Sequence, residues 1–247
     1  MDSVAIVTGG SRGIGRATSL AAAKRGYKVV VGYASNKAAA DDVVGAIEAS
    51  NGKAIAVKCD VGIEADILNL FKQADAFGKL GALVNNAGVV DATARVDEMS
   101  AERLARMMNI NVVGSILCAR EAVKRMSSKH GGTGGVIVNL SSVAATLGSP
   151  AQYADYAASK GAIDTFTVGL AREVSTEGIR VVGIRPGLID TEIHASGGEP
   201  DRAHRLAHMV PMKRVGTADE IANAVVWLMS DDASYVTGTI IDVSGGR

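Results

Sequence analysis

The segment Thr8-Gly9-Gly10-Ser11-Arg12-Gly13-Ile14-Gly15 decides the fold class of this chain. It follows a β-branched run that is typical of a strand, and it opens a segment with helical periodicity. In this context Gly9 allows a tight turn, Gly13 lets backbone approach a pyrophosphate, and Gly15 lets a helix pack closely on a strand. The N-terminus of that helix adds unpaired N–H groups and a partial positive charge. The sequence therefore predicts a dinucleotide phosphate site at this loop.

Outward from this loop, short apolar runs alternate with longer helix-period segments, which is typical of βαβ units around a parallel sheet. Most of the runs are uninterrupted, as expected for strands covered on both faces. The predicted strands are Val4–Thr8, Lys28–Tyr33, Lys53–Cys59, Ala82–Asn85, Gly135–Ser141, Ile179–Arg185 and Thr239–Val243. The predicted helices are Gly15–Arg25, Ala38–Ser50, Glu64–Phe77, Ala101–Ser127, Tyr156–Thr176 and Ala218–Met229. We expect an α/β protein with a Rossmann-type, doubly wound, seven-stranded parallel sheet, forming a single domain over residues 1–247.

Composition excludes several other classes of protein. Hydrophobic residues make up 47% of the 247 residues, and 26 basic residues balance 26 acidic ones. With zero net charge we expect no nucleic-acid partner. No apolar run approaches the roughly 20 residues of a membrane span, and no signal peptide pattern opens the chain. Two distant cysteines, Cys59 and Cys118, fit a reducing compartment, so we expect a cytoplasmic protein without a membrane partner.

Tyr156 and Lys160 are four residues apart near the start of a predicted helix, so they lie on one helix face. A tyrosine with a pKa near 10 is a poor acid or base at neutral pH, but a neighbouring ammonium favours its phenolate. Tyr153 has no lysine four residues later, because position 157 is alanine. The pair Tyr156 and Lys160 is therefore the candidate for proton transfer.

Five further motifs occur at strand ends or in helices in a characteristic order. They are Asn85-Asn86-Ala87-Gly88, Asn111-Val112-Val113-Gly114, Ser141-Ser142, Tyr156-Ala157-Ala158-Ser159-Lys160 and Pro186-Gly187. Together with the glycine loop, this pattern resembles the classical short-chain dehydrogenases/reductases, and the resemblance covers the entire chain. Within that family the sequence strongly resembles both 3-oxoacyl reductases and glucose-type sugar dehydrogenases.

The resemblance implies four catalytic residues. Ser142 would bind the substrate oxygen, and Tyr156 would give or take its proton as a general acid or base. Lys160 would hold the nicotinamide ribose and lower the pKa of Tyr156, while Asn111 would hold a water at a helix interruption. Ser141 stays an alternative to Ser142, although Ser142 precedes the Val143-Ala144 pair as the family motif requires.

The second strand ends without a carboxylate, in Val31-Gly32-Tyr33-Ala34-Ser35-Asn36-Lys37. An NAD enzyme places an acid here for the ribose 2′-hydroxyl, whereas a 2′-phosphate favours cationic and hydroxyl donors. We therefore favour NADP(H), and NAD(H) stays open. The predicted cofactor-binding residues are Gly9, Ser11, Arg12, Gly13, Ile14, Gly15, Tyr33, Ala34, Ser35, Asn36, Asp60, Val61, Asn86, Ala87, Gly88, Tyr156, Lys160, Pro186, Gly187, Ile189 and Thr191.

The irregular stretch from Leu188 to Val215 is too long for an ordinary connection, and it follows the carboxyl end of a strand. We interpret it as a substrate lid, over residues 188–215. It contains His194, His204 and His208. Two of these are four residues apart, but no third ligand is fixed by the sequence, so we expect no metal site.

The sequence predicts an NADP(H)-dependent oxidoreductase that interconverts a carbonyl and a secondary alcohol, with a 3-oxoacyl thioester or a sugar as alternative substrates. A non-catalytic NADP(H)-binding redox sensor on the same fold is the competing function. The resemblance also implies a homo-oligomer, with a tetramer expected. Apolar residues in Ala222–Met229 and Ile240–Val243 are the candidate contact surface.

Overall fold

The computed structural model describes residues 3–192, 198–199 and 201–247. Seven parallel strands form one sheet in the order β3-β2-β1-β4-β5-β6-β7. The strands are β1 (Ser3–Val7), β2 (Lys28–Tyr33), β3 (Ala54–Lys58), β4 (Lys79–Asn85), β5 (Gly135–Leu140), β6 (Ile179–Pro186) and β7 (Ile240–Val243). The order reverses between β1 and β4, which is the topological switch point where doubly wound sheets bind ligands. The predicted Rossmann-type sheet is confirmed.

Helices cover both faces of this sheet. They are α1 (Gly13–Lys24), α2 (Lys37–Ala49), α3 (Glu64–Phe77), α4 (Ala101–Met108), α5 (Gly114–Met126), α6 (Ala144–Leu147), α7 (Ala154–Val174), α8 (Arg202–Arg205) and α9 (Ala218–Met229). The predicted helix Ala101–Ser127 is wrong as one α-helix, because a π-helical turn at Asn109–Val113 separates α4 from α5. A π turn holds one residue more per turn than an α-helix, and hydrophobic periodicity does not reveal it.

The core lies in two layers, one on each face of the sheet. Val29 and Val31 of β2 face the layer that contains α2 and α9, whereas Val30 between them faces the layer that contains α3 and α5. Side chains alternate across a strand, so most positions of a strand that is buried on both faces are apolar. This explains why the strands appear in the sequence as continuous apolar runs.

A chain of buried polar side chains crosses the centre of the sheet. Asn85 of β4 lies beside Asn139 of β5 in the register of the sheet, and its amide donates to the Asn139 Oδ1 at 3.0 Å. The Asn139 amide donates in turn to the Thr167 hydroxyl of α7 at 2.9 Å. The Asn85 amide also donates to the carbonyl oxygen of Ser115 on α5 at 3.1 Å. These bonds fix α5 and α7 against the strands that lead to the carboxyl edge.

No helix among the described residues is long and apolar enough to cross a membrane. The apolar residues expected on the surface of Ala222–Met229 are mostly buried instead. Ala222, Val225 and Leu228 pack into the protein's own core, and Trp227 is the large apolar side chain of α9 that stays partly exposed. The expectation of an apolar contact surface on this helix is therefore wrong, because α9 uses that face to cover the sheet.

Gly15 provides a test of the packing at the glycine loop. A Cβ at Gly15 would lie 2.1 Å from the Gly9 carbonyl oxygen and 2.5 Å from the Asn86 amide nitrogen. We expect Gly15→Ala to lower the free energy of unfolding by about 1–3 kcal/mol, because backbone must move. Gly45→Ala is the matched control, because Gly45 lies inside α2 with open space around it. We expect this alanine to raise the free energy of unfolding by about 0.5–1 kcal/mol. Urea denaturation of both variants checks the opposite signs.

Candidate active site

A cleft opens at the carboxyl edge of the sheet, between the ends of β4, β5 and β6. The start of α7, the short helix α8 and the chain segment after β7 complete its walls. We call it the carboxyl-edge cleft. The predicted site residues that line it are Ile14, Asn86, Gly88, Ser142, Tyr156, Lys160, Pro186, Gly187, Ile189 and Thr191. The other predicted residues do not line it: most surround the N-terminus of α1 and the ends of β2 and β3, and Asn111 lies in the turn between α4 and α5.

Tyr156 and Ser142 meet inside this cleft. Burial raises the pKa of Tyr156 above its ordinary value, and a hydrogen bond with the Ser142 side chain and the nearby charge of Arg202 oppose that rise. The expectation that Lys160 lowers this pKa is not met in the chain alone, because desolvation of the phenol dominates. Tyr156 is therefore protonated at neutral pH.

Ser141 and Ser142 point in different directions. The buried Ser141 hydroxyl donates to the carbonyl oxygen of Lys160 at 3.2 Å, which ties β5 to α7. The Ser142 hydroxyl accepts from the backbone N–H of Ala144 at 3.1 Å and bonds Tyr156. Of the two alternatives, Ser142 is the serine beside the tyrosine.

Lys160 is buried one helical turn after Tyr156. Its ammonium donates to the carbonyl oxygen of Leu140 at 2.7 Å, and its Nζ lies 5.6 Å from the centre of the Tyr156 ring. Burial lowers the pKa of Lys160 to about 8, against an opposing influence from Asp164. The ammonium of Lys160 therefore loses its proton more easily than that of an exposed lysine, as expected for a site that shifts a proton.

Asn111 occupies the π turn between α4 and α5, where a helix interruption was predicted. Its side chain clamps the backbone of Val89: the Oδ1 accepts from the Val89 N–H at 2.8 Å, and the Nδ2 donates to the Val89 oxygen at 2.9 Å. The same amide also donates to the Ser159 hydroxyl at 3.1 Å. Asn111 therefore connects the loop after β4 to α7, immediately before Lys160.

A buried ion pair at the start of α7 was not expected from the sequence. The Arg103 guanidinium of α4 contacts both carboxylate oxygens of Asp155, at 2.7 and 3.2 Å, and donates to the Ala92 oxygen at 2.6 Å. Burial alone would raise the pKa of Asp155, but the bonds from Arg103 hold it below its usual range. Because Asp155 adjoins Tyr156, this fork fixes the first turn of the helix that carries the tyrosine.

The N-terminus of α1 fits a phosphate group. Arg12 is the N-cap residue without a side-chain cap, and no acidic residue occupies the first turn. Gly9 and Gly13 have positive φ angles of 61° and 50°, and Ser11 is buried in the loop between them. The unsatisfied N–H groups and the partial positive charge of this terminus therefore face an open glycine loop, as dinucleotide phosphates require.

The end of β2 differs in part from the expected set of phosphate donors. Tyr33 is buried in the core with Val43 of α2, so its side chain does not face the phosphate site. The Asn36 side chain caps α2 by accepting from Ala39 N–H at 3.0 Å, and Lys37 pairs with Asp41 at 2.6 Å. The predicted Ala34 and Ser35 are exposed.

Arg12 is exposed beside this loop, and its guanidinium has no hydrogen bond or ion pair with the residues that the structure describes. After β3, the Asp60 carboxylate accepts from the Gly62 N–H at 2.9 Å, and Val61 is buried. These are the positions that we predict to hold the adenosine half of a dinucleotide.

The segment after β6 lies close to two other parts of the chain, the segment after β7 and the glycine loop. A Cβ at Gly187 would lie 2.7 Å from the Ser244 Cα, and one at Gly13 would lie 3.3 Å from the Thr191 side chain. Backbone without a side chain is therefore required at Gly187, which lets β6 turn directly into the cleft. The predicted lid begins here.

The predicted lid lies partly outside the described residues, and His194 is among the residues that are not described. His204 faces Asp190 at 3.4 Å, and the His208 ring nitrogen lies 3.0 Å from the Arg205 oxygen. Within the described part of the chain, no group of three His, Cys, Asp or Glu side chains could hold a metal ion.

Among the cleft residues that sequence reasoning missed, Arg202 and Arg247 are the charged ones. Both follow segments with no motif, and only the folded chain brings α8 and the segment after β7 to the same wall. The sequence signal for Arg202 was its position in the predicted lid, but the direction of its side chain could not be deduced.

Comparisons with known proteins identify the family of this chain. A family model described as enoyl-(acyl carrier protein) reductase matches residues 9–247. The uncharacterized oxidoreductase YgfF of Escherichia coli (strain K12) is 54% identical over 245 residues, covering 99% of both chains. Glucose 1-dehydrogenase 2 of Bacillus subtilis (strain 168) is 38% identical over 243 residues, covering 98% of this chain and 93% of that protein.

A solved structure gives the same result. The crystal structure of a short chain dehydrogenase from Burkholderia cenocepacia J2315 in complex with NADP has a TM-score of 0.91 at 32% identity, covering 100% of this chain and 98% of that one. Fold and site thus define an oxidoreductase that acts on CH–OH or C=O groups with NAD(P). The chain belongs to the short-chain dehydrogenase/reductase family.

Lys160 gives a pH-dependent prediction about stability. Its pKa in the folded chain, about 8, lies below the ordinary value of 10.5, so burial of the charge opposes folding fully below pH 8. This penalty disappears as the pH rises towards 10.5. We expect Lys160→Met to raise the free energy of unfolding at neutral pH by about 1–3 kcal/mol, and the gain to shrink as the pH rises above that of the folded pKa.

Urea denaturation at neutral and alkaline pH measures this difference. Lys72→Met, at an exposed position of α3, is the control whose effect should not change with pH. A Lys160→Met variant that is less stable than wild type at neutral pH would show that the bond to Leu140 outweighs the burial of the charge.

Proposed function

We propose that this protein interconverts a carbonyl and a secondary alcohol with NADP(H), and that Tyr156 is the general acid and base. The observation that carries the proposal is the contact of a partly buried, protonated Tyr156 with Ser142 in the carboxyl-edge cleft, one helical turn before the buried Lys160. These groups surround one point at which a substrate oxygen can bind.

In the reducing direction, Ser142 donates a hydrogen bond to the carbonyl oxygen, which positions it and polarises the C=O bond. Tyr156 then gives its proton to that oxygen as negative charge develops there. The raised pKa of Tyr156 keeps the donor form populated at neutral pH. A bound nicotinamide supplies or accepts the hydride.

Lys160 and Asn111 act on Tyr156 rather than on the substrate. When Tyr156 loses its proton, the ammonium of Lys160 at 5.6 Å from the ring favours the phenolate. Asn111 fixes the backbone around Val89 and bonds Ser159, the residue before Lys160. In the family role that we propose for it, Asn111 also holds a water through which the site regains its proton.

Tyr156→Phe tests the role of the hydroxyl. We expect kcat to fall at least about 100-fold while the fold and cofactor affinity are kept, since general acid–base groups contribute about 10²- to 10⁴-fold. Tyr235→Phe, at a fully exposed tyrosine, is the control. The measurement is the rate of NADPH oxidation with a panel of aldehydes, ketones, sugars and acyl thioesters. Turnover that survives in Tyr156→Phe contradicts the mechanism.

The competing function is a redox sensor that binds NADP(H) without turnover. The same panel separates the two: a sensor binds cofactor but oxidises none with any carbonyl. The presence of both Tyr156 and Lys160 in the cleft favours the enzyme, because a sensor does not require a proton donor there.

The proposed cofactor preference for NADP(H) rests on Arg12 and on the lack of an acid at the end of β2. Lys37 and Asn36 are engaged with α2, so Arg12 is the cation that we assign to the 2′-phosphate, with Ser35 as a hydroxyl donor. The relative from Burkholderia cenocepacia was crystallised with NADP. We assign the pyrophosphate to the glycine loop and α1, and the nicotinamide end to Ile189 and Thr191 in the cleft.

Arg12→Ala tests the cofactor assignment. We expect kcat/KM for NADPH to fall about tenfold or more and kcat/KM for NADH to stay nearly unchanged, because Arg12 is assigned to the 2′-phosphate, which NADH lacks. Arg16→Ala, one helical turn later and also exposed, is the control. An equal loss with both cofactors, or a wild type that already prefers NADH, would show that the assignment is wrong.

We propose a homotetramer that uses the predicted segment Ile240–Val243, whose apolar side chains stay partly exposed, and a second surface that the sequence did not indicate. Leu104, Met108, Val113 and Ile116 form an exposed apolar stripe along α4 and α5. Apolar stripes of this kind on a helix pair usually pack against a second copy in a closed symmetric assembly.

We assign the substrate lid to residues 188–215, of which the described residues Leu188, Ile189, Thr191 and Arg202 line the cleft. The names of relatives do not separate the two proposed substrate classes, since the family model refers to acyl carrier protein and one relative is a glucose dehydrogenase. The residues that line the cleft carry more information.

A further inference from the structure

Two arginines without carboxylate partners line the wall of the carboxyl-edge cleft formed by α8 and the segment after β7. Arg202 donates to the neutral Gln152 side chain at 2.8 Å, and its guanidinium carbon lies 5.1 Å from the centre of the Tyr153 ring. Arg247 lines the same cleft. Among the described lining residues the charged side chains are all basic, with Lys160 as the third, and no aspartate or glutamate is present.

Other arginines nearby form ion pairs with carboxylates. Arg205, on the same short helix as Arg202, forms an ion pair with Glu199, and Arg214 pairs with Glu220 at 2.5 Å. Arg202 has no ion pair with a described carboxylate, although it is partly buried. Burial and the charge of Arg202 together lower the pKa of Arg247, so the two guanidinium groups repel each other. An anion between them would relieve this repulsion and accept charge-assisted hydrogen bonds.

Arg202 is also close to the reacting group. Its charge lowers the pKa of Tyr156, and it stacks on Tyr153, three residues earlier at the start of the same helix. Arg202 and Tyr156 line the same cleft, so an anion bound to Arg202 occupies the cavity that also holds the oxygen that Tyr156 protonates. A shared cavity fits a charged group on the substrate itself, whereas the phosphates of a long thioester carrier would lie much farther from the thioester carbonyl.

We propose that the substrate carries a carboxylate or phosphate group close to its carbonyl or alcohol, and that Arg202, with Arg247, binds it. This inference rests on the proposed function and specifies its substrate class. The rest of the wall contributes Val90, Leu147 and Leu188, which leave room for a short apolar segment between the two polar ends. A neutral sugar would leave both guanidinium groups without an anion.

The first test compares matched substrates in the intact protein with NADPH. The pairs are 3-oxobutanoate with its ethyl ester, and 3-oxobutanoyl-coenzyme A with its N-acetylcysteamine thioester, which lacks phosphates. We expect kcat/KM to be higher for the free acid than for the ester, and Arg202→Gln to lower this preference about tenfold or more. Arg205→Gln is the matched control on the same helix. Preference for the coenzyme A thioester alone would place the anion on a carrier and overturn the proposal.

Binding provides a readout that does not depend on turnover. Calorimetric titration of the NADPH-bound protein with malonate should show binding that neutral malonamide does not share. Arg202→Gln should weaken malonate binding about tenfold or more, Arg202→Lys should weaken it less, and Arg205→Gln should leave it unchanged. Tyr156→Phe should keep malonate binding while it loses turnover.

The outcomes separate the two proposals. Equal malonate binding by wild type and Arg202→Gln, or no binding at millimolar malonate, overturns the anion site even if the neutral ester is reduced. An equal loss of activity with acid and ester in Arg202→Gln shows that Arg202 only ties α8 to Gln152, which also overturns it. Malonate binding without turnover of any carbonyl contradicts the proposed enzyme and leaves the anion site supported.

Discussion

The hydrogen bonds between Thr8 and Asn86 hold together the two halves of the molecule at the point where the strand order reverses. The Thr8 hydroxyl accepts from the backbone N–H groups of Asn86 and Ala87, each at 3.0 Å, and the Asn86 amide donates to the oxygens of Thr8 and Gly9 at 2.9 and 3.0 Å. At a switch point, two neighbouring connections leave the sheet on opposite faces, and a gap opens between them. These bonds fix the width of that gap, so the glycine loop and the loop after β4 form one rigid edge.

The catalytic side of the cleft depends on this edge through a second set of bonds. Asn111 joins the loop after β4 to Ser159, the Ser141 hydroxyl binds the backbone of Lys160, and Arg103 holds Asp155. Tyr156 therefore lies on a helix turn that is fixed from β5 and from α4. A proton donor whose pKa is set by burial needs such support, because a small movement towards water would lower the cost of its ionisation.

Most of the fold could be predicted from the sequence, because its signals are local. Every predicted strand is present with bounds within about three residues, since continuous β-branched runs between turns have few other uses in a buried parallel sheet. The Thr217 and Glu220 capping box likewise marks the start of α9. The π turn was not predictable as such, and the burial of Tyr33 was not either: both depend on which face of an element meets a neighbour, and this is a property of the tertiary structure.

The candidate site also contains residues that could be predicted from the sequence and residues that could not. Residues in motifs, such as Ser142 and Tyr156, could be predicted because the resemblance rests on local sequence around them. Arg202 and Arg247 are 45 positions apart in the sequence and share no motif, so only the folded sheet brings them together. Local patterns therefore reveal the cleft residues that belong to motifs, and the cleft residues outside motifs become visible only in three dimensions.

The π turn at Asn109–Val113 changes the helical frame of everything that follows it. In an unbroken α-helix the residue four positions after the exposed Met108 would share its face, but Val112 is 9% exposed and Val113 is 45% exposed. The exposed apolar face continues from Met108 to Val113, five positions later. An α-helix, with about 100° of rotation per residue, returns to the same face after about four residues, and the π turn adds one residue to this repeat. One extra residue thus turns Asn111 inwards and keeps the outer stripe straight. The inward side chain of Asn111 and the outward apolar face of α4 and α5 therefore depend on one helical register, so neither can shift without the other.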